Sequence, residues 1–326
     1  MPDEVFRKAL MVSMSNIGDT VLSLPVADTL KERMPGITIY GMCGSRSKDI
    51  FKYAKSVDKV IEYRKKDSWK EKWQLFKFLK SQGFDLIVDL RHTLWGVFFP
   101  KVRSTSLLMR IPSVHKKSQH LYKLKSTLRE EFSASPCKGF DIPEDIKEEV
   151  EIHLKEKDST RKFVLIVPGA RSDTKRWNQE GFYMIAKHLL GEGFSVAVTT
   201  DKDESHIIDN QNWRSLLKQD RFISFAGTLD LGGLVYFIDS YVGCILSNDN
   251  AVVHIGSYLN IPTCAIFGPT DDLLYGPWSD NSLVIKSSID CRPCMEALCP
   301  KGTRECMGNL SFEYVLDEFK KFLKPQ

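Results

Sequence analysis

The chain lacks any run of about 18 or more apolar residues, which excludes a membrane-spanning helix. The apolar stretch that follows Met1–Lys8 is too short for the core of a secretion signal, so a cytoplasmic location is the default expectation. No Gly-x-Gly-x-x-Gly follows the first predicted strand, so the dinucleotide fingerprint is missing. There is no short-period internal repeat, no low-complexity tract and no recognised DNA- or RNA-binding motif, which argues against a nucleic-acid partner. The most local absence is of acid. Residues 91–129 hold no Asp or Glu, yet carry Arg91, Lys101, Arg103, Arg110, Lys116, Lys117, Lys123, Lys125 and Arg129.

What is present fits a globular protein. At 326 residues, 42% apolar and 27% charged, the chain suits two domains, each able to bury a core. The net charge of +4 conceals an asymmetry. Residues 1–150 hold 27 Lys and Arg against 19 Asp and Glu, and the remainder holds 19 against 23. The basic 91–129 stretch is interleaved with Leu94-Trp95-Gly96-Val97-Phe98-Phe99 and Leu107-Leu108-Met109. Such a surface attracts anions, whether an acidic glycolipid or an anionic leaflet. The plainer reading is a solvated helical face.

Strand and helix patterns alternate through both halves. Strands are predicted at Lys8–Met14, Ile37–Met42, Lys59–Glu62 and Asp85–Asp89, then at Phe163–Val167, Phe194–Thr199, Phe222–Phe225, Tyr241–Leu246 and Thr263–Phe267. Helices are predicted over Thr20–Met34, Asp49–Lys55, Trp69–Ser81, Pro143–Lys157, Gln179–Gly191, Ser205–Leu217, Leu231–Asp239 and Phe312–Leu323. This alternation predicts an α/β protein of two parallel-sheet domains, 1–150 and 151–326.

The densest signal lies at 247–278. A buried strand runs into Ser247-Asn248-Asp249, residue types that cap helices, and a short apolar helix should start just beyond them. A strand, a polar turn and a helix N-terminus together expose N–H donors suited to a phosphate. The next strand ends in Phe267-Gly268-Pro269-Thr270, a second loop at the same sheet edge, where open α/β sheets bind ligands. Two ordinary turns would look similar.

This segment resembles the signature of glycosyltransferase family 9, the ADP-heptose:lipopolysaccharide heptosyltransferases. The matching residues are Asn248-Asp249 with His254, Ile261-Pro262-Thr263, Phe267-Gly268-Pro269-Thr270 and Gly276-Pro277-Trp278. Two further blocks are similar: Gly18-Asp19-Thr20-Val21 before Leu24-Pro25, and Pro168-Gly169-Ala170 with Lys175-Arg176-Trp177. The departures are Asn250 and Ala251, where the family has a small hydroxyl residue and Gly, Asn260 for Gly, and Asn178 for Pro.

The resemblance implies the GT-B fold, two Rossmann-like domains facing an interdomain cleft, with an N-terminal acceptor-binding domain and a C-terminal nucleotide-sugar domain. It implies inverting transfer of a heptose or related sugar from a nucleotide-diphosphate sugar, ADP-heptose in the family, to a lipopolysaccharide-core-type acceptor. It assigns Asp19 as the base, where spacing alone allows a first-turn acid. It assigns Lys175 to the donor diphosphate, where a lone lysine is usually a solvated charge. Asp249, Asn250, Ala251, His254 and Gly169 fall in the nucleotide-sugar site, although Asp249 could equally cap a helix and His254 fill a core. Arg91, Arg103 and Arg110 are the expected acceptor contacts, at a peripheral site on the inner membrane. No cofactor is expected for catalysis. Another nucleotide sugar, a GT-B-shaped epimerase and a non-catalytic sugar-nucleotide binder stay open as alternatives.

Eight cysteines are present, of which Cys291, Cys294, Cys299 and Cys306 form C-x2-C-x4-C-x6-C. In a cytoplasmic protein such a cluster favours metal or redox chemistry over structural disulfides, and a zinc or iron–sulfur site with a structural role for the loop is the expectation, although the spacing lacks the paired knuckles of a zinc ribbon.

Overall fold

The computed structural model describes residues 6–13, 16–93, 95–155, 157 and 161–324. The expectations that touch Met14, Ser15, Leu94 and Glu156 lie outside the described residues. The chain divides into two compact units, Met1–Asp141 and Ile142–Gln326.

The first unit holds strands β1 (Lys8–Val12), β2 (Thr38–Cys43), β3 (Lys59–Glu62), β4 (Leu86–Asp89) and β5 (Arg103–Ser104). Its helices are α1 (Ile17–Val21), α2 (Leu24–Arg33), α3 (Lys48–Tyr53), α4 (Trp69–Ser81) and α5 (Lys116–Leu128). The strands are all parallel, in the order β3-β2-β1-β4-β5, with Leu10 opposite both Tyr40 and Ile87. Continuous apolar strands such as Lys8-Ala-Leu-Met-Val12 need cover on both faces, which parallel sheets receive from their crossover helices. One core layer joins Leu10, Val12, Tyr40, Met42, Leu79 and Ile87.

The second unit opens with α6 (Glu144–Leu154) and β6 (Phe163–Val167), then α7 (Gln179–Gly191), β7 (Ser195–Val198), α8 (Gln211–Leu216) and β8 (Phe222–Ser224). It continues with α9 (Leu231–Tyr241), β9 (Val242–Asn248), α10 (Ala251–Tyr258), β10 (Thr263–Phe267), α11 (Asp272–Tyr275), β11 (Ser282–Lys286), α12 (Glu305–Gly308) and α13 (Phe312–Leu323). The strands are again parallel, in the order β11-β10-β9-β6-β7-β8. In both sheets the strand order reverses beside the first strand. The two crevices where ligands bind such folds therefore lie between β1 and β4, and between β6 and β9.

The expected boundary at 150 moves to Asp141, because α6 belongs with the second unit. Tyr236 on α9 donates a 2.6 Å hydrogen bond to Glu151, and the His153 ring lies 5.9 Å from Phe225. The helix expected over Thr20–Met34 is two helices. Pro25 has no N–H for the Val21 carbonyl and its ring crowds that position, so the first helix stops and a second begins. The helix expected over Ser205–Leu217 also breaks. Asn210 takes the N–H groups of Asn212 and Trp213 as an N-cap, leaving a 3-10 turn (Lys202–Ile207) before α8. The edge strand β11 was not anticipated by the sequence reading.

Candidate active site

The second unit's crevice is built by two asparagines. Asn248, the last residue of β9, is fully buried. Its amide donates to the Pro168 carbonyl at 2.7 Å, and its side-chain oxygen accepts from the Trp177 N–H at 3.1 Å. One side chain on β9 thus fixes both ends of the 168–177 loop that leaves β6. Asn250 repeats the device two residues on. It donates to the Gly169 carbonyl at 2.8 Å and accepts from the Val252 N–H at 2.9 Å, so it is also the N-cap of α10. The sequence placed the cap among Ser247, Asn248 and Asp249; the structure makes it Asn250, with Ala251 the first helical residue.

This suture brings together residues 74 positions apart. The Lys175 ammonium lies 2.7 Å from Asp249 Oδ2, with the carboxylate buried and the lysine one-third exposed. A buried carboxylate paired to a half-buried lysine at a helix N-terminus leaves that lysine, and the first-turn N–H groups of α10 other than that of Val252, able to meet an anion. A Cβ at Gly169 would meet the end of the Glu204 side chain, so a larger residue there would have to displace that carboxylate. Glu204 in turn pairs with Arg176 at 2.6 Å, and Arg176 also donates to the Ala170 carbonyl at 2.8 Å. Arg176 is therefore committed to holding the loop.

His254 is buried on α10, one turn beyond the cap, with its ring stacked on Trp278 at 5.6 Å and 22°. Trp278 is tethered by its N–H to Ser257 Oγ at 3.0 Å. The Gly-Pro-Trp block thus orients the histidine, a role the sequence did not assign. Asn260, the second departure from the expected glycines, adopts φ 57° just past the end of α10. It exchanges two 3.0 Å hydrogen bonds with Asp280.

The cysteine-bearing loop covers this edge. Ser172 donates to the Ala297 carbonyl at 2.9 Å, Arg292 to the Gly268 carbonyl at 2.9 Å, and Arg304 to the Asp173 carbonyl at 2.9 Å. All four of its thiols are free. Burial and then the neighbouring Cys291, Cys294 and Cys299 raise the Cys306 thiol, whereas the Arg304 N–H lowers Cys299. The donor set suits a thiophilic metal, but among the described residues no group of three or more His, Cys, Asp or Glu side chains is arranged to hold one. A cavity of about 620 Å³ beside this loop is lined by Asp173, Arg176, Glu180, Trp213 and Arg304. Its walls include neither Lys175 nor Asp249, so it lies apart from the paired charges.

In the first unit, Asp19 lies in α1, the helix that follows β1, half-buried and held by the Asn16 amide at 3.0 Å. A cavity of about 340 Å³ at the β1–β4 crevice is lined by Ser13, Met42, Tyr63, Lys65, Arg91 and Trp95. Arg91 is one of the residues that line it. Its turn is set by Asp89, whose carboxylate accepts from the N–H groups of Arg91 and Thr93. Lys123, read from the sequence as part of the basic surface, is instead buried and supports the same turn from α5, donating to the Leu90 carbonyl at 2.6 Å. Burial pushes its ammonium down to about 8, opposed by Asp89. Arg103 lies elsewhere. It pairs in register with Leu86, at the start of β4, and donates to the Leu128 carbonyl at the end of α5, so its position supports helix capping and not acceptor contact. Arg110 is exposed on the 106–115 loop.

A family model described as glycosyltransferase family 9 (heptosyltransferase) matches residues 72–304. The lipooligosaccharide heptosyltransferase 2 of Campylobacter jejuni is 24% identical over 323 residues, covering 94% of this chain and 96% of that protein. The solved ADP-heptose lipopolysaccharide heptosyltransferase II of E. coli superposes with a TM-score of 0.76 at 19% identity, covering 97% of this chain and 98% of the other. An iron-containing dodecameric glycosyltransferase, TibC of enterotoxigenic E. coli, superposes with a TM-score of 0.61 at 14% identity, covering 97% and 78%. These likenesses show the fold, and the expected α/β GT-B class is the one found.

Two outcomes follow from this geometry. Asn248→Ala strands the Pro168 carbonyl and the Trp177 N–H in the interior, so it should destabilise the protein by about 1–3 kcal/mol; urea denaturation that gave the wild-type midpoint would refute the suture. Burial holds the Lys123 ammonium at about 8 in the folded protein, below the ordinary lysine value of 10.5. The unfolded chain then binds more protons between those values, and stability should rise as pH climbs through that window. Lys123→Met should remove that rise, read as the difference between wild-type and variant denaturation midpoints across the window.

Proposed function

Because the chain belongs to glycosyltransferase family 9, we propose that it moves a heptose from ADP-heptose to a lipopolysaccharide-core acceptor with inversion at the anomeric carbon. The observation that carries this reading is the Lys175–Asp249 pair at the β6–β9 crevice, beside the turn at Gly169 that packs on the Glu204 carboxylate. Lys175 and the first N–H groups of α10 hold the diphosphate. Asp249 keeps the lysine in place, and His254, braced by Trp278, contacts the sugar-nucleotide.

In the transfer, the acceptor hydroxyl oxygen bonds to the anomeric carbon as the bond from that carbon to the diphosphate breaks. The electron pair leaves on ADP, and the hydroxyl proton passes to Asp19. Charge develops on the leaving diphosphate, so the fixed cation and N–H donors act most strongly in the transition state. No step requires a metal. The Cys291–Cys306 loop is read as a structural cover for the donor edge, and any ion held by its thiols would serve that role.

On the first unit, Arg91 and Lys65 supply positive charge to a cavity walled by Tyr63 and Trp95. That combination suits a phosphorylated saccharide, whose sugar faces pack on aromatic rings while its anions meet the cations. The acceptor is therefore read as an anionic glycolipid, met by an enzyme peripheral to the inner membrane.

Asp19→Ala should lower kcat by about 10²–10⁴-fold with ADP affinity nearly intact; an unchanged kcat in an active preparation removes Asp19 from the chemistry. Lys175→Ala should weaken ADP binding by about 1.5–3 kcal/mol, the worth of a hydrogen bond to a charged group. Titration calorimetry giving equal ADP affinities would exclude the diphosphate contact.

A further inference from the structure

Helix α4 is the least buried long helix of the first unit: of its 13 residues only Leu79 is fully inside. Its outer face is unusual in composition. Trp69 is 89% exposed and Trp73 56% exposed, four residues apart on one face, with Lys77 and Lys80 continuing the stripe. Lys70 and Lys72 flank it. The one acid of the helix, Glu71, is turned back onto the N-cap, where it accepts from the Ser68 N–H and hydroxyl. Among the described residues, none of the four lysines 70, 72, 77 and 80 enters an ion pair; Lys77 instead lies 5.6 Å above the Trp73 ring.

The aromatic face does not stop at the helix. Trp73 stacks on Phe76 at 5.4 Å, Phe76 meets Phe98 edge-on at 5.8 Å, and Phe98 meets Trp95 at 6.4 Å. Trp95 then reaches Tyr63 at 6.2 Å, on the wall of the cavity that holds Lys65 and Arg91. Val97 and Phe98, both more than half exposed, extend the patch beside the helix. A continuous aromatic path thus runs from an exposed, lysine-fringed face into the acceptor cavity.

We propose that this face, α4 with the 95–98 turn, seats the first unit on an anionic lipid bilayer. Exposed tryptophans are costly in water but suit the headgroup layer, where an apolar ring and a polar N–H are both accommodated. Lysines beside them complement a negatively charged leaflet. The surface differs from the one first read into the basic 91–129 stretch: its lysines come from the preceding helix, only the 95–98 turn is shared, and Arg91 belongs to the cavity. Resting on the glycolipid-acceptor reading, the arrangement lets the lipid stay in the bilayer while its saccharide follows the aromatic path to Lys65 and Arg91.

The test uses the full chain and sedimented vesicles of phosphatidylcholine, with or without about one-quarter phosphatidylglycerol. Wild type should bind the anionic vesicles, and binding should weaken steeply when salt is raised about tenfold, as screened charges require. The exposed double variant W69S/W73S should bind about tenfold more weakly, and K70E/K72E/K77E/K80E should lose about 100-fold or more. Both variants should keep the wild-type thermal transition and ADP affinity. Brominated phosphatidylcholine should quench the tryptophan fluorescence of wild type and not of W69S/W73S. Absence of vesicle binding by wild type at low salt, or equal binding by both variants, overturns the proposal. So does concentration-dependent self-association that W69S/W73S abolishes in the absence of vesicle binding, which would make the face a contact between copies. Transfer to a delipidated acceptor separates the two readings. If it persists in W69S/W73S while transfer to vesicle-embedded acceptor falls, both stand. If neither acceptor is used by wild type but vesicle binding behaves as stated, the transferase reading fails and the docking face stands.

Discussion

The donor edge depends on one buried carboxamide. Asn248 ends β9 with its side chain across the crevice, held by the Pro168 carbonyl on one side and the Trp177 N–H on the other. A buried amide without partners would cost several kcal/mol, so the loop leaving β6 can take only the path that satisfies it. That path places Lys175 against Asp249, brings Trp177 into the core under Phe182, and leaves Gly169 packed on Glu204. Loop residues are usually the mobile part of such folds. Here the loop is fixed by the strand it faces.

The first unit solves a similar problem with charge. Asp89 ends β4 and gathers the N–H groups of the turn that carries Arg91, while Lys123 reaches up from α5 to the Leu90 carbonyl. A buried ammonium is costly to maintain, so burial lowers the Lys123 pKa, and the Asp89 carboxylate offsets that cost only in part. The turn is held from above by an acid and from below by a base, and the cavity wall is built on it.

Much of this was legible in the sequence. Trp69–Ser81, Phe163–Val167, Gln179–Gly191, Thr263–Phe267 and Phe312–Leu323 have the predicted bounds, because each is a clear periodic or apolar run between strong caps. Both failures among the helices fell where a local breaker outweighed periodicity, at Pro25 and at Asn210. Lys175, Asp249 and His254 could be placed near one another from their strand-end positions. Their mutual geometry could not, since it rests on Asn248 and Trp278, whose partners are 80 and 21 residues away in sequence. Arg103 was misplaced for a related reason: a run free of acid shows charge but not which end of the sheet each residue reaches. The aromatic path from Trp73 to Tyr63 joins a helix, a turn and a strand end, and periodicity within any one of them does not reveal it.

Asn260 shows what such a chain can exchange without loss. The position needs a left-handed backbone to end α10, a conformation that glycine and asparagine both supply at little cost. Asparagine adds a reciprocal pair of hydrogen bonds to Asp280 that glycine could not make. Letter by letter the change reads as erosion of a signature, yet in dihedral space it is a synonym, with the turn sewn tighter. Divergence to 24% identity can then proceed through substitutions that preserve backbone class and leave the frame unchanged.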